Sequence, residues 1–223
     1  MTLESGDREA FLTRLRQRLA EPAEPPLRPI APWSGSVGAV GYRADLSDRV
    51  AAFERALEAV AGQARRLAGR AERDALLAEI CAAHTVRRAV VSRDPECDGV
   101  LDALRGLGVE AETLDSASQA AAADLGVTGA AFGVALTGSV LVDAERAGGR
   151  TASLLPPVHL ALLRQDRIVD TPGAILRAMP KRPTALPSNL VLITGPSRSA
   201  DIELQLTLGV HGPRYVWVGL VSE

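Results

Sequence analysis

The chain is poor in aromatic residues, since only 3% of its 223 residues are Phe, Trp or Tyr. Its 25 lysines and arginines meet 27 aspartates and glutamates, for a formal net charge of −2 at pH 7. Binding of nucleic acid without sequence preference needs a basic surface and aromatic rings on which bases stack. We therefore expect no nucleic-acid partner.

Cysteine is almost absent. Cys81 and Cys97 stand sixteen positions apart, and two thiols supply neither the four cysteine ligands of an iron–sulfur cluster nor a disulfide framework. The three histidines, His84, His159 and His211, are far apart and show no spacing typical of a metal site. We expect ordinary thiols in a reducing compartment, and neither a metal ion nor another cofactor bound by this chain.

Long hydrophobic runs are also scarce. The first eight residues carry acids and no apolar core, which predicts no secretory signal. Residues 125–142 lack charge and contain a GxxxG match, but four Gly, two Thr and one Ser make them weakly hydrophobic for a membrane span. We expect a buried loop and strand there, no membrane span, and a cytoplasmic protein.

The composition changes along the chain and predicts three regions. Residues 1–20 space their apolar side chains as in a short amphipathic helix. Five prolines between positions 22 and 32 exclude a helix or a central strand and predict an extended connector over residues 21–34. Residues 35–223 remain for an α/β domain. The N-terminal helix can dock on a partner or on a second copy of the chain, so a homo-oligomer stays open.

The first half of this domain alternates helices and strands. Apolar residues three and four apart predict a helix from Ser47 and a second one ending before His84, with Arg65, Arg66, Arg70 and Arg73 on its solvated side. Residues 89–92 and 109–114 read as strands with a helix over 99–107 between them. This order predicts an α/β fold with an open, mostly parallel sheet flanked by helices.

The second half predicts further strands. Residues 139–142 and 153–155 flank a loop with two glycines and suggest a hairpin. Residues 158–163 are apolar on both faces, which is typical of a central strand. We expect another strand over 190–193, a helix over 199–208 and a closing strand over 215–221.

The segment after the strand at 190–193 is the first candidate site. A strand that turns into a helix points backbone N–H groups and hydroxyls outward from the carboxyl end of a sheet, where they can hold a carboxylate or a phosphate. The residues concerned are Thr194, Gly195, Ser197, Arg198, Ser199 and Asp201. In the alternative interpretation, Ser199 is a helix N-cap and Asp201 only complements the helix dipole.

Other segments offer weaker candidates. His211 lies in a turn and can act as an acid or base, or can simply bond to backbone. Thr137 and Ser139 can present two hydroxyls to a ligand, with Gly138 where a side chain would collide; the alternative is a bulge entering the strand. His159, inside an apolar strand, reads as a core residue or as a contact at the edge of a sheet.

Five blocks of this sequence resemble, in order, the LUD domain of the lactate utilization protein C family. They cover residues 126–129, 137–142, 153–159, 193–203 and 209–213. The resemblance extends over about residues 35–221 and is dense after residue 120. It implies a fold similar to the ribose-5-phosphate isomerase and CoA-transferase group. It also implies a role in converting L-lactate to pyruvate beside two iron–sulfur proteins, which would carry the clusters.

The chain departs from this family at one position. The family commonly has Ala-Glu-Thr-Gly before the strand at 139–142, and this chain has Leu136 in place of the glutamate. A carboxylate there would be a natural acid or base, and leucine cannot replace it. The departure argues against general acid–base chemistry by this chain alone.

Three functions follow as hypotheses. The first is a cluster-free accessory subunit that holds a small carboxylate and contacts iron–sulfur partners. The second is a free-standing enzyme for an anionic substrate such as a carboxylate, a phosphate or an acyl-CoA. The third is a regulatory protein that senses a metabolite without turning it over.

Overall fold

The computed structural model describes residues 5–20, 45–178, 189–199, 207–209 and 211–222. The chain divides into two compact units, residues 1–42 and 43–223. In the first unit the described part is one helix, α1 (Ser5–Ala20), in the region where the sequence predicts an amphipathic helix. The predicted connector over residues 21–34 lies outside the described residues.

The second unit is built on a sheet of six strands in the order β1-β12-β7-β4-β2-β3. All neighbouring strands run parallel, which confirms the predicted class of sheet. The strand over 158–163 is central, as predicted from its apolar residues on both faces. The strands are β1 (Gln63–Leu67), β2 (Arg88–Val91), β3 (Glu110–Thr113), β4 (Leu125–Ala130), β7 (Val158–Arg164) and β12 (Tyr215–Val221).

Five helices belong to this unit within the described residues: α2 (Arg49–Ala59), α3 (Arg70–His84), α4 (Val100–Gly106), α5 (Ala117–Ala122) and α6 (Pro172–Ala178). Side chains of β7 alternate between two cores, as a strand requires. Leu160 and Leu162 join the core formed with α3 and α4, whereas Ala161 and Leu163 join the core formed with α2. The main sheet is therefore covered on both faces.

A second sheet of four strands has the order β8-β5-β6-β9. Its members are β5 (Phe132–Val134), β6 (Ser139–Asp143), β8 (Ile168–Val169) and β9 (Leu190–Ile193). Strand β6 runs antiparallel to both β5 and β9. Two short strands, β10 (Arg198–Ser199) and β11 (Thr207–Leu208), pair antiparallel with each other.

Two predicted elements are wrong. The predicted hairpin does not form, because β6 pairs with β5 and β9 while Thr151–Ser153 is a 3₁₀ turn. The glycine pair closes a local turn instead, with Gly149 N–H donating to Ala144 O at 2.7 Å. The helix predicted over 199–208 is wrong at both described ends, since Ser199 pairs with Thr207 as strand.

The arginines assigned to one solvated helix face are divided between two elements. Arg65 and Arg66 lie on the edge strand β1. Their side chains are exposed there, as they would be on a helix surface, so the sequence pattern does not distinguish the two elements. Arg70 and Arg73 lie on α3, and Arg73 is buried at 8% exposure. The uncharged segment 125–142 contributes to β4, β5 and β6. Among the described residues no helix is long and apolar enough to cross a membrane.

Candidate functional site

Three hydroxyls that the sequence singles out lie together where β6 begins and β9 ends. Ser139 Oγ is 2.7 Å from Thr137 Oγ1 and 2.7 Å from Thr194 Oγ1. Ser139 is buried at 1% exposure, while Thr194 is exposed. The three side chains form a hydrogen-bonded hydroxyl chain that leads from the core to the surface.

Glycines beside this hydroxyl chain allow close contact with the end of α2. Gly138 and Gly195 both have positive φ, at 63° and 80°. A β-carbon on Gly138 would lie 2.2 Å from the backbone N of Leu57, and one on Gly195 would lie 2.8 Å from Val60 Cγ2. A side chain at position 138 would indeed collide, as predicted, but it would collide with α2.

The turn after β9 joins the loop of His211. Ser197 N–H donates to Pro213 O at 2.9 Å, and His211 N–H donates to Ser197 Oγ at 3.4 Å. The Arg198 guanidinium donates to the carbonyl oxygen of Val60 at the end of α2, where a cation complements the helix dipole. Asp201 lies outside the described residues.

The position of this turn corrects one expectation. The sequence predicts it at the carboxyl edge of a parallel sheet, but β9 belongs to the antiparallel pair with β6. Its contacts with Val60 and Pro213 place it just before β1 and β12 begin. Ser197 and Arg198 thus lie at the amino edge of the main sheet, because β9 pairs with β6 and not with a strand of that sheet.

His159 is a core residue, as interpreted from the sequence. It is fully buried, its Nε2 lies 2.9 Å from Thr128 Oγ1, and its Nδ1 has no hydrogen-bond partner. Burial lowers the pKa of His159 to about 4. The imidazole is therefore neutral at physiological pH.

His84 has partners that its sequence position did not reveal. Its ring lies 4.3 Å from the ring of Tyr215, and Trp217 Nε1–H donates to His84 Nε2 at 3.3 Å. Burial lowers the pKa of His84.

In the described part of the chain no group of three or more His, Cys, Asp or Glu residues can hold a metal ion.

Leu136, the position at which the resemblance implies a glutamate, supplies packing. It is partly buried against a small core with Val134 and Ile175. Its backbone N–H donates to Asp170 O at 3.1 Å. An acid or base for this chain must come from elsewhere.

Sequence reasoning missed a group of acids at the opposite edge of the main sheet. Asp94 follows β2 and is 6% exposed; it accepts hydrogen bonds from Ser92 Oγ at 2.6 Å and from Gly129 N–H at 3.0 Å. Burial raises the pKa of the Asp94 carboxyl, against the lowering effect of these hydrogen bonds and of Arg146. A carboxyl group with a raised pKa is suited to proton transfer.

Glu96 lies beside Asp94, since Arg146 contacts both carboxylates, and the residue as a whole is half-buried. Its side chain is 8% exposed, with Arg146 Nη2 at 3.5 Å and Arg167 Nη1 at 3.7 Å from its carboxylate oxygens. The signal in the sequence is Ser-x-Asp-Pro-Glu directly at the end of a predicted strand.

Topology explains why these acids form a candidate site. After β2 the chain enters α4, which packs on one face of the main sheet, whereas after β4 it enters β5 and β6, toward the other face. Neighbouring parallel strands whose connections leave toward opposite faces open a crevice at their carboxyl ends, and ligands of α/β proteins bind in such crevices.

Comparison with known proteins gives the chain relatives. The family model described as LUD domain matches residues 50–221. Lactate utilization protein C of Halalkalibacterium halodurans is 32% identical over 139 residues, which are 58% of this chain and 60% of that protein. Lactate utilization protein C of Macrococcus caseolyticus is 38% identical over 107 residues, 47% of this chain and 46% of that protein.

An uncharacterized protein of Neisseria meningitidis serogroup B is 37% identical over 91 residues, 41% of this chain and 39% of that protein. The chain thus spans less than two thirds of the length of these relatives. Among solved structures, a DUF162 family protein from Deinococcus radiodurans matches with a TM-score of 0.54 and 21% identity, over 81% of this chain and 99% of that one. This likeness shows a shared fold.

Proposed function

This chain belongs to the LUD domain family, and we propose that it is a cytoplasmic accessory subunit of a system that oxidises L-lactate to pyruvate beside iron–sulfur proteins. The observation that carries the proposal is the set of relatives named Lactate utilization protein C, of which the two described above are 32% and 38% identical. The lactate pathway in this proposal is taken from the shared name of these relatives.

The cysteines support the assignment of clusters to partner proteins. Two cysteines are fewer than the four ligands that a cluster usually needs. Burial raises the pKa of the Cys97 thiol to about 12, so this sulfur is a poor thiolate ligand. The electrons of lactate would pass through the partner proteins.

The contribution of this chain in the proposal is to hold a small carboxylate. The hydroxyls of Thr137 and Thr194 supply hydrogen-bond donors, the buried Ser139 hydroxyl between them holds both in place, and the turn with Ser197 lies in contact with the loop of His211. A guanidinium has five N–H donors, so the contact between Arg198 and Val60 leaves others for a carboxylate.

The test of the subunit role is a tagged pull-down from native cells grown on lactate. We expect cluster-bearing proteins in fixed ratio to the chain, seen by mass spectrometry and by iron–sulfur absorbance of the eluate. There are two controls: cells grown without lactate, and cells that carry the tag alone. A chain that elutes alone and colourless under gentle conditions contradicts the subunit role.

The test of the carboxylate role is a titration of the purified chain with L-lactate and pyruvate. Arg198→Ala should weaken binding roughly tenfold, because a charge-assisted hydrogen bond is lost. The matched control is Arg55→Ala, since Arg55 is also exposed and also donates to a backbone carbonyl, that of Asp45. Equal affinities of the two variants contradict a role of Arg198 in binding.

The raised pKa of Asp94 favours a second candidate function, a free-standing enzyme for an anionic substrate. A buried carboxyl at the carboxyl edge of a parallel sheet can act as acid or base. This candidate predicts turnover by the purified chain, and Asp94→Asn should abolish it while the fold, checked by circular dichroism, persists. Turnover at wild-type rate in this variant contradicts the candidate.

A further inference from the structure

Strand β9 lies at one edge of the second sheet, and β6 is its single neighbour within the described residues. Asn189 O accepts a hydrogen bond from Ala144 N–H, so the backbone of Asn189 faces β6. Successive residues of an antiparallel strand point their N–H and C=O groups to opposite sides. The backbone groups of Leu190 and Leu192 therefore point away from β6, where a further strand can bind them.

The other edge strands of the two larger sheets are protected against such pairing. Strand β1 carries Arg65 and Arg66, and β3 carries Glu110 and Glu112. Strand β8 has only two residues. Charged side chains and short length are the usual protection of an edge strand, because a second copy would set like charges opposite each other. Strand β9 (Leu190–Ile193) contains no charged residue.

The surface around this edge is apolar. All four residues of β9 are aliphatic, and Leu192 is 46% exposed. Leu190 packs in the same small core as Ile175 of α6, and the next residue of that helix, Leu176, is 71% exposed. Exposed apolar surface thus extends from β9 to α6, and such a surface is typical of a contact with another protein.

The lack of charge on β9 favours a second copy of this chain as the occupant. An uncharged strand offers no ion pair to a charged partner and does not repel a copy of itself. Antiparallel pairing across a two-fold axis is also self-complementary, because each strand supplies the donors that the other strand accepts. The edges at β1 and β3, with their like charges, lack this property.

The alternation of backbone groups restricts how two copies of β9 can pair. Hydrogen bonds form only when residues that point outward in one copy lie opposite residues that point outward in the other. A two-fold axis at Leu192 meets this condition. It sets the two exposed Leu192 side chains side by side and places Leu190 of each copy opposite Thr194 of the other.

We propose that two copies of this chain associate by antiparallel pairing of their β9 strands, with the two Leu192 residues opposite each other at the two-fold axis. The four strands of each second sheet then join into one continuous sheet. The hydroxyl chain, which ends at Thr194, lies beside this interface. The inference follows from the edge strand and does not depend on the proposed function.

The experiment is sedimentation velocity of the full purified chain over a range of concentrations. We expect a reversible dimer with a Kd on the order of 10 µM, because a short strand pair with its leucines is a small interface. Leu192→Arg should raise this Kd at least about tenfold, since it sets two like charges opposite each other.

The matched control is Leu107→Arg. Leu107 is 45% exposed, as Leu192 is 46% exposed, but it is the C-cap residue of α4 and belongs to neither β9 nor α6. We expect Leu107→Arg to change the Kd less than about twofold. Circular dichroism checks that both variants are folded.

A charge-rescue experiment tests the position of the two-fold axis. Leu192→Glu alone should weaken the dimer as Leu192→Arg does. An equimolar mixture of the two variants should sediment as a dimer again, because opposite charges then meet at the axis. Rescue by mixing also shows that neither variant lost the dimer through misfolding.

A chain that stays monomeric at about 200 µM, well above the expected Kd, overturns the proposal. Equal effects of Leu192→Arg and Leu107→Arg overturn it too, as does a mixture of the two Leu192 variants that remains monomeric. Assembly into species larger than a dimer also contradicts it. None of these results depends on lactate or on iron–sulfur proteins, so the subunit role is decided separately by the pull-down.

Discussion

Ser139 and Thr194, 55 residues apart in the chain, are joined by a hydrogen bond of 2.7 Å between their hydroxyls. The contact joins the start of β6 to the end of β9, so two segments that the sequence singled out separately form one structural unit. Ser139 is buried at 1% exposure, and its hydroxyl bridges Thr137 and Thr194. The hydroxyl chain therefore stabilises the second sheet whether or not it binds a ligand.

Ser139→Ala should lower the free energy of unfolding by about 1–2 kcal/mol, because the hydroxyls of Thr137 and Thr194 lose their shared partner. Chemical denaturation at pH 7 measures the effect. The control is Ser118→Ala on α5, whose exposed hydroxyl lies 2.9 Å from the exposed Ser116 Oγ; we expect a change within about 0.5 kcal/mol, because a solvent-exposed hydroxyl pair is readily replaced by water. Equal midpoints for the two variants contradict the bridging role.

The buried His159 should make stability depend on pH. Its pKa is about 4 in the folded chain and near 6.5 when unfolded, so between these values the unfolded chain binds more protons. The contribution is fully present above pH 6.5 and is lost as the pH falls toward 4, by about 3 kcal/mol in total.

The measurement for His159 is the free energy of unfolding at several pH values between 4 and 7. His159→Gln should flatten the slope relative to wild type, since the titrating group is gone. Ser118→Ala, at an exposed position without a titratable group, is the control and should keep the wild-type slope. Parallel slopes for wild type and His159→Gln contradict the prediction.

Gly138→Ala should destabilise the chain by about 3 kcal/mol or more. The new β-carbon would meet the backbone N of Leu57 at 2.2 Å, and φ is 63°, so collision and backbone strain act together. Gly108→Ala tests the backbone strain without the collision, because φ is 78° at Gly108 and no heavy atom lies within 4 Å of where its β-carbon would be. We expect it to cost about 1 kcal/mol. Thermal or chemical unfolding compares the two, and equal losses would disprove the contact with α2.

The two thiols should differ in reactivity. Cys81 is half-buried, whereas Cys97 is buried at 5% exposure and burial raises its pKa to about 12. Iodoacetamide at pH 8 should therefore alkylate Cys81 at least about tenfold faster, because the thiolate is the reacting form. Peptide mass spectrometry follows both sites, and the denatured chain, in which both react, is the control. Faster labelling of Cys97 contradicts its burial.

Much of the main sheet is predictable from local patterns. The apolar run 158–163 marks a strand covered on both faces, and the order of strand, helix and strand over 89–114 predicts parallel pairing. Strand β1 escaped prediction because Arg65 and Arg66 on an edge strand show neither a buried run nor a clear alternation. The ladder of β10 and β11 escaped prediction because each strand has only two residues, too few to show the alternation of a strand.

The candidate site, like the main sheet, is predictable from the sequence only in part. Sequence alone named Thr137, Ser139, Thr194, Ser197 and His211, and by motif it determined the resemblance to the LUD domain. It also determined the composition that disfavours nucleic acid and the small number of cysteines. Composition and motifs depend only on which residue types occur and in what order, so they can be determined without the tertiary structure.

Only the tertiary structure decided which of these residues meet and at which edge of the sheet. Because β9 pairs with β6, the predicted turn lies at the amino edge of the main sheet. Because β2 and β4 are neighbouring strands, Asp94 accepts a hydrogen bond from Gly129. Strand β9 is an edge strand because β6 lies on one side of it and, within the described residues, no strand lies on the other. Strand pairing joins segments that are distant along the chain, so no local pattern of residues contains this information.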